Sequence, residues 1–312
     1  MKATREEPLA AASTTSYSTR LNTMLKRTKA KDADDLLLNA DKYYPTLYRS
    51  MQRHWTRNGK PENPTTMTNF ATAICSYHKY NRKGVPMYDA GHEKWKAYMT
   101  NDANARDEHF SKNILPEEKL KKVVNVSEVI NKFDAMKDDP ECYSDEKKHR
   151  QLVLLATYVY VKPKRADLGN VYLYTQPEKR SDVNYIVLND TGGYLVMNKY
   201  KTAKTYGPLE EELPIEYVEL LKRSLAFFPR ETLFVDSKGK PYIKNDSYGR
   251  FAARAFEELF GRDMGVSLWR HVHTNQRVDY NKESTQELKK NARLMGHSLQ
   301  QQIGTYRYVN GV

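Results

Sequence analysis

The feature that most restricts this chain is a hairpin signal set among helical patterns. Asn189-Asp-Thr-Gly-Gly joins two short runs of strand-forming residues, Tyr185-Ile-Val-Leu and Tyr194-Leu-Val-Met, as expected of a tight antiparallel turn. A third such run, Val171-Tyr-Leu-Tyr, precedes them. On either side the apolar residues recur at helical spacing. Upstream, Leu47, Met51 and Trp55 fall at i, i+4 and i+8 in a helix read from Pro45. Met67, Phe70, Ile74 and Tyr77 share one side of a second helix, opened by Asn63-Pro. Downstream, after Pro208, helices are read over Pro214 to Phe227, Asp246 to Phe260, Leu268 to Asp279 and Thr285 to Met295. The expected fold class is therefore mainly α with a small antiparallel β-sheet of three strands, an α+β arrangement.

The 312 residues suggest about two domains of ordinary size. Residues 1–18 are rich in Ala, Ser and Thr without a hydrophobic period, and are read as a disordered arm. Residues 19–112 form a small, basic, all-helical unit. Asp32-Ala-Asp-Asp-Leu-Leu-Leu is a capped helix start there, and a last helix is read over about Ala90 to Met99. The polar, mixed-charge stretch Asn101 to Asn113 is read as a linker. Residues 113–312 make the second domain, which opens with helical patterns at Pro116-Glu-Glu-Lys-Leu, Val126-Ser-Glu-Val-Ile and Glu146 to Val161.

Composition narrows the function class. No run approaches the ~18 consecutive apolar residues of a membrane span, and the N-terminus lacks the apolar core of a secretory signal. Cys75 and Cys142 alone exclude a disulfide framework and a Cys-rich zinc site. An intracellular protein is expected, neither secreted nor membrane-bound. Lys and Arg number 51 against 39 Asp and Glu, a net +12. Residues 1–110 hold 18 of the basic and 12 of the acidic residues, so half of the excess sits in the first third. Such an excess attracts polyanions, chiefly by releasing counterions from a phosphate backbone.

Five positions of the second domain form an ordered set. They are Arg165 in Lys162-Pro-Lys-Arg-Ala-Asp-Leu, Lys201 in Asn198-Lys-Tyr-Lys-Thr-Ala-Lys, Arg270 in Ser267-Leu-Trp-Arg-His, His297 in Leu294-Met-Gly-His-Ser, and Tyr306 in Gly304-Thr-Tyr-Arg-Tyr. In this set the chain resembles the tyrosine recombinase, or phage integrase, family. That family carries an Arg, a hairpin Lys, a His/Lys-x-x-Arg box, a Gly-His box and a nucleophilic Tyr in this order. Tyr306 falls nine residues after His297, the family's spacing, whereas Tyr308 is displaced by two. The resemblance covers about residues 114–309, and the basic unit before it is similar to the family's helical core-binding domain.

The resemblance implies a site-specific DNA recombinase or integrase that cuts and rejoins strands by transesterification. Tyr306 would attack phosphorus to give a 3′-phosphotyrosyl link and a free 5′-hydroxyl. Arg165 and Arg270 would hold the non-bridging oxygens, Lys201 would protonate the departing 5′-oxygen, and His297 would donate a hydrogen bond to the phosphate. The two arginines supply the charge a metal would otherwise bring, so no metal or cofactor is expected. Double-stranded DNA is the implied partner, bound by a homotetramer on two duplexes inside the cell. Ser267 departs from the pattern, standing where the family has His or Lys to assist proton transfer from the tyrosine. His271 or His273 is a possible substitute, and Lys204 is an alternative to Lys201. Arg53, Arg57, Lys60, Lys79, Arg82 and Lys83 are the candidate phosphate contacts of the first unit. A catalytically inactive DNA-binding accessory protein and a type IB topoisomerase are the alternatives.

Overall fold

A computed structural model describes residues 11–60, 62–176, 180–243 and 245–309. The chain divides into two compact units, residues 1–112 and 113–312, each with its own hydrophobic core. It is mostly helical with one small mixed sheet, an α+β protein. Among the described residues no helix is long and apolar enough to cross a membrane.

The first unit is built of helices α1 (Ala11–Thr28), α2 (Ala33–Leu38), α3 (Ala40–Arg57), α4 (Pro64–Asn81) and α5 (Pro86–Ser111). Asp32 caps α2 by accepting from the Asp35 amide at 2.8 Å, and Asn63 caps α4 by accepting from that of Thr66 at 3.3 Å. Tyr43, Leu47, Met51 and Trp55 are buried at successive i+4 positions of α3. Trp95 is sealed in the core, its indole N–H donating to the Leu36 carbonyl at 2.9 Å. Where α5 crosses α2, a Cβ on Gly91 would stand 2.1 Å from the Leu37 carbonyl oxygen, so only glycine fits.

Three expectations change in this unit. Residues 1–10 of the expected disordered arm lie outside the described residues, but from Ala11 the chain is helical. Alanine's high helix propensity and the burial of Met24 outweigh the polar composition. Helix α3 starts at Ala40 and carries Pro45 inside it. The stretch read as a linker is helix as far as Ser111, because α5 continues with a mostly exposed polar surface. Asp102 accepts there from the Tyr44 hydroxyl at 2.6 Å.

The second unit begins with α6 (Glu117–Leu120), α7 (Val126–Lys137) and α8 (Glu146–Tyr160). Residues 151–158 of α8 are all buried, which makes it the central helix. Strands β1 (Val171–Tyr174), β2 (Asn184–Asn189) and β3 (Gly192–Met197) follow. A short helix α9 (Ala203–Tyr206) then leads into β4 (Leu209–Leu213). The unit closes with α10 (Ile215–Phe227), α11 (Asn245–Phe260), α12 (Val266–Gln276), α13 (Thr285–Leu294) and α14 (Leu299–Gln301). The hairpin lies at its signal: Asn189 pairs with Gly192 across Asp190 and Thr191.

The sheet differs from the expectation in two ways. It has four strands in the order β1-β2-β3-β4, and β1 runs parallel to β2 while the other pairs are antiparallel. Strand β4 was hidden by its glutamates. In Leu209-Glu-Glu-Glu-Leu, residues 209, 211 and 213 point inward, and the inward Glu211 is tolerated because it forms an ion pair with Lys164.

Candidate active site

Helix α12 is buried almost all round, and an arginine stands in its buried part. Arg270 is 1% exposed, and none of its three side-chain nitrogens has a hydrogen-bond partner among the described residues. Its guanidinium carbon lies 4.8 Å from the ring centroid of Tyr306. Burial pulls its pKa down to about 10, opposed by the neighbouring Tyr306 phenol, so the group remains a cation at neutral pH.

Tyr306 closes a single π-helical turn, Gln302–Tyr306, of the kind that re-aims a side chain at a helix end. Gln302 anchors that turn, fully buried with its amide nitrogen donating to the Tyr280 hydroxyl at 3.1 Å. The Tyr306 ring lies between two imidazoles, His297 at 4.9 Å and nearly parallel, and His271 at 4.8 Å and tilted.

His297 is carried by the turn that ends α13. Gly296 reverses the chain there with φ +73°, and a Cβ at that position would meet the Tyr200 ring at 3.4 Å and the Arg165 guanidinium at 3.5 Å. Two of the predicted segments converge on its carbonyl, which accepts from Arg165 Nη1 at 3.2 Å and from Thr202 Oγ1 at 2.8 Å. His297 Nδ1 faces the Ser298 carbonyl at 3.1 Å and must donate to it, which leaves Nε2 as a bare acceptor with no partner among the described residues. Burial, with Arg270 and then Arg165 repelling a further cation, pulls its pKa down to about 3. His297 is therefore neutral here, and donation from Nε2 to a phosphate requires proton uptake.

Arg165, Arg270, Tyr306 and Ser267 line one cleft of about 580 Å³, with Gly249 and Ala253 of α11 on another wall. Ser267 is exposed at its edge. Lys201 is also exposed and does not line this cleft; it sits on the turn after β3, between Tyr200, whose ring a Cβ at Gly296 would meet, and Thr202, which donates to the Gly296 carbonyl. Lys204 is exposed on α9. Of the two possible substitutes for Ser267, His271 packs on the Tyr306 ring, with burial lowering its pKa to about 4. Burial also holds His273 well below its ordinary range, and the charges of Lys162 and Arg277 push the same way.

Lys164, beside Arg165, emerges only from the structure. It is 4% exposed, forms an ion pair with Glu211 of β4, and donates to the Leu294 carbonyl at 2.7 Å. Three elements are thereby tied beside the Arg165 turn: the chain leaving α8, strand β4, and the end of α13. No local sequence signal marks this pair, since its members stand 47 residues apart.

The six basic candidates of the first unit separate. Arg53, Arg57 and Lys60 line a cleft of about 940 Å³ together with Arg49, which the sequence reading passed over. Lys79 and Lys83 line another, smaller cleft with Lys96. Arg82 is differently placed. Its Nε and Nη2 donate to both carboxylate oxygens of Asp34 at 2.8 and 2.7 Å, so its charge is committed within the unit. No model of a known protein family matches the chain, and no curated protein matches it either.

Proposed function

We propose that the chain is a DNA strand transferase of the tyrosine recombinase type, with Tyr306 as nucleophile. The observation that carries this reading is the pairing of Arg270 with Tyr306. A guanidinium almost wholly out of water, its nitrogens without a geometric hydrogen-bond partner among the described residues, stands over a tyrosine in a cleft shared with a second arginine. Burial lowers the Arg270 pKa, and the Tyr306 phenol and the Asp167 carboxylate, which favour its charge, offset this only in part. A buried cation without full pairing is costly, and an arriving phosphodiester offsets that cost. The planar fork of Arg270 matches two phosphate oxygens, and Arg165 supplies the second positive group.

The chemistry follows from those groups. The Tyr306 oxygen attacks phosphorus, the bond to the 5′-oxygen breaks, and the 3′-phosphate stays on the tyrosine. Burial and the charges of Arg270 and Arg165 depress the His297 pKa, and a bound phosphate offsets those charges. Nε2 of His297 then becomes basic enough to take the phenol proton and donates it in a hydrogen bond to the phosphate, while Lys201 protonates the departing 5′-oxygen. His297 thus takes the place in proton transfer that Ser267 cannot fill. Developing charge on the non-bridging oxygens is met by fixed guanidinium donors. An aryl ester is a good leaving group, since phenol has a pKa of about 10, so the free 5′-hydroxyl can reverse the step and rejoin a strand. Arg49, Arg53, Arg57 and Lys60 make phosphate contacts that position duplex DNA, and recombination on two duplexes uses four copies of the chain.

A nicked suicide duplex, from which the 5′-hydroxyl fragment escapes, tests this. The wild type and Tyr308→Phe should form a covalent protein–DNA adduct, and Tyr306→Phe should not. An adduct that survives Tyr306→Phe and disappears in Tyr308→Phe overturns the assignment. Tight, salt-dependent binding with no adduct under any condition supports an inactive accessory protein instead. Supercoil relaxation by a monomer without site preference supports a topoisomerase.

A further inference from the structure

We infer that Asn275 is a positioning residue for the nucleophile, holding the backbone on both sides of Arg307 so that Tyr306 meets the group bound by Arg270; this rests on the strand-transfer reading. Asn275 lies at the end of α12, the helix that carries Arg270. Its side-chain amide uses both donors and one of its two acceptor sites. Nδ2 donates to the carbonyls of His271 at 2.7 Å and Tyr306 at 2.8 Å, and Oδ1 accepts from the Tyr308 amide at 2.7 Å. Turning the amide over would set its oxygen against two carbonyls, so the neighbours fix its orientation.

The consequence is mechanical. One helix holds both the phosphate-binding guanidinium and the peptide that delivers the phenol, so their spacing is set within a single rigid element. Within the turn itself the Arg307 amide donates to the Gln302 carbonyl at 3.0 Å, and the remaining ties to other elements are weaker or more distant. His271 Nδ1 reaches the Tyr306 carbonyl at 3.4 Å, and the Val309 amide donates to the Asn113 carbonyl at 2.9 Å, beyond the reactive residue. Asn275 touches the backbone of Tyr306 and works through it. A misplacement of about 1 Å at a reacting group can cost ~10²-fold in rate. Removing the clasp should therefore slow attack and leave DNA affinity intact.

Two variants test this by single-turnover adduct formation on the nicked duplex, with DNA affinity measured separately. Asn275→Leu keeps the bulk and loses every hydrogen bond. Its attack should slow on the order of 10²-fold, with affinity within about twofold of wild type. Asn275→Asp keeps the acceptor for Tyr308, loses both donors when ionised, and regains one as a neutral acid. The two carbonyls that its oxygens then face, in a half-buried site, favour the neutral acid and raise its pKa, so its rate relative to wild type should rise as pH falls from 8 to 5.5. The ionisable groups around this position are His271, Tyr306, Tyr308, Arg277, Asp279, Tyr280 and Arg307. His271 titrates near 4, and backbone amides hold the Asp279 carboxyl below its ordinary range, so neither changes charge in that window. An unslowed Asn275→Leu, a loss of affinity in proportion to rate, or a flat Asn275→Asp ratio overturns the inference. If Asn275→Leu does not fold, the ratio decides. A wild type that forms no adduct overturns the strand-transfer reading itself, whereas wild-type adduct formation matched by Asn275→Leu overturns the role of Asn275 alone.

Discussion

Arg270 concentrates the residue-scale account, because its position is costly unless an anion arrives. Lysine keeps the charge and loses the fork, and in the same buried setting an ammonium sheds its proton more readily than a guanidinium. Arg270→Lys should therefore lower the single-turnover attack rate by about 10²–10³-fold while DNA affinity changes by only a few fold. A rate within about threefold of wild type, the range of ordinary context effects, would remove Arg270 from the site. At this scale the sequence was informative where chemistry is local. Arg165, Arg270, His297 and Tyr306 each sit in a short box, and the structure brings their segments together. Facts that depend on partners far along the chain were not legible. Asp34 claims Arg82 across 48 residues, and Asn275 reaches Tyr306 across 31. The protonation of His297 was equally hidden, since it follows from burial beside two arginines.

Among the elements, β4 shows how a buried ion pair disguises a strand. Burial in the Leu-Glu-Glu-Glu-Leu run alternates as in a half-buried strand but its polarity does not, because an inward glutamate is expected only if a cation meets it. Lys164 is that cation. Glu211→Gln strands the Lys164 ammonium in the core and should cost roughly 3–5 kcal/mol, while Lys164→Met with Glu211→Leu should recover most of it. Urea unfolding of the single and double variants measures this, and additive losses would contradict a paired role. The hairpin and most helices of the second unit were readable because their periods and turn residues lie within a few positions of one another. The extent of α1 and α5 was not, since exposed polar helix and polar coil share a composition.

The whole molecule combines a net +12 with buried neutral histidines at the candidate site. His297 and His271 have pKa values lowered to about 3 and about 4, and that of His273 lies well below the ordinary range. In the unfolded chain each takes up a proton below about pH 6.5. Their contribution is therefore fully present above pH 6.5 and is lost as pH falls from there towards 4 and 3. The slope is about 1.4 kcal/mol per pH unit for each histidine. Denaturant unfolding between pH 7.5 and 4.5 should show this loss, and His271→Asn should flatten it; a flat wild-type profile would contradict neutral burial.

The central claim is the identity of the nucleophile, and mapping the covalent attachment tests it most directly. After trapping on the nicked duplex and digestion, mass spectrometry of the nucleotide-bearing peptide should place a 3′-phosphate on Tyr306. Attachment at Tyr308 or any other residue, or no adduct with duplex bound, would contradict it.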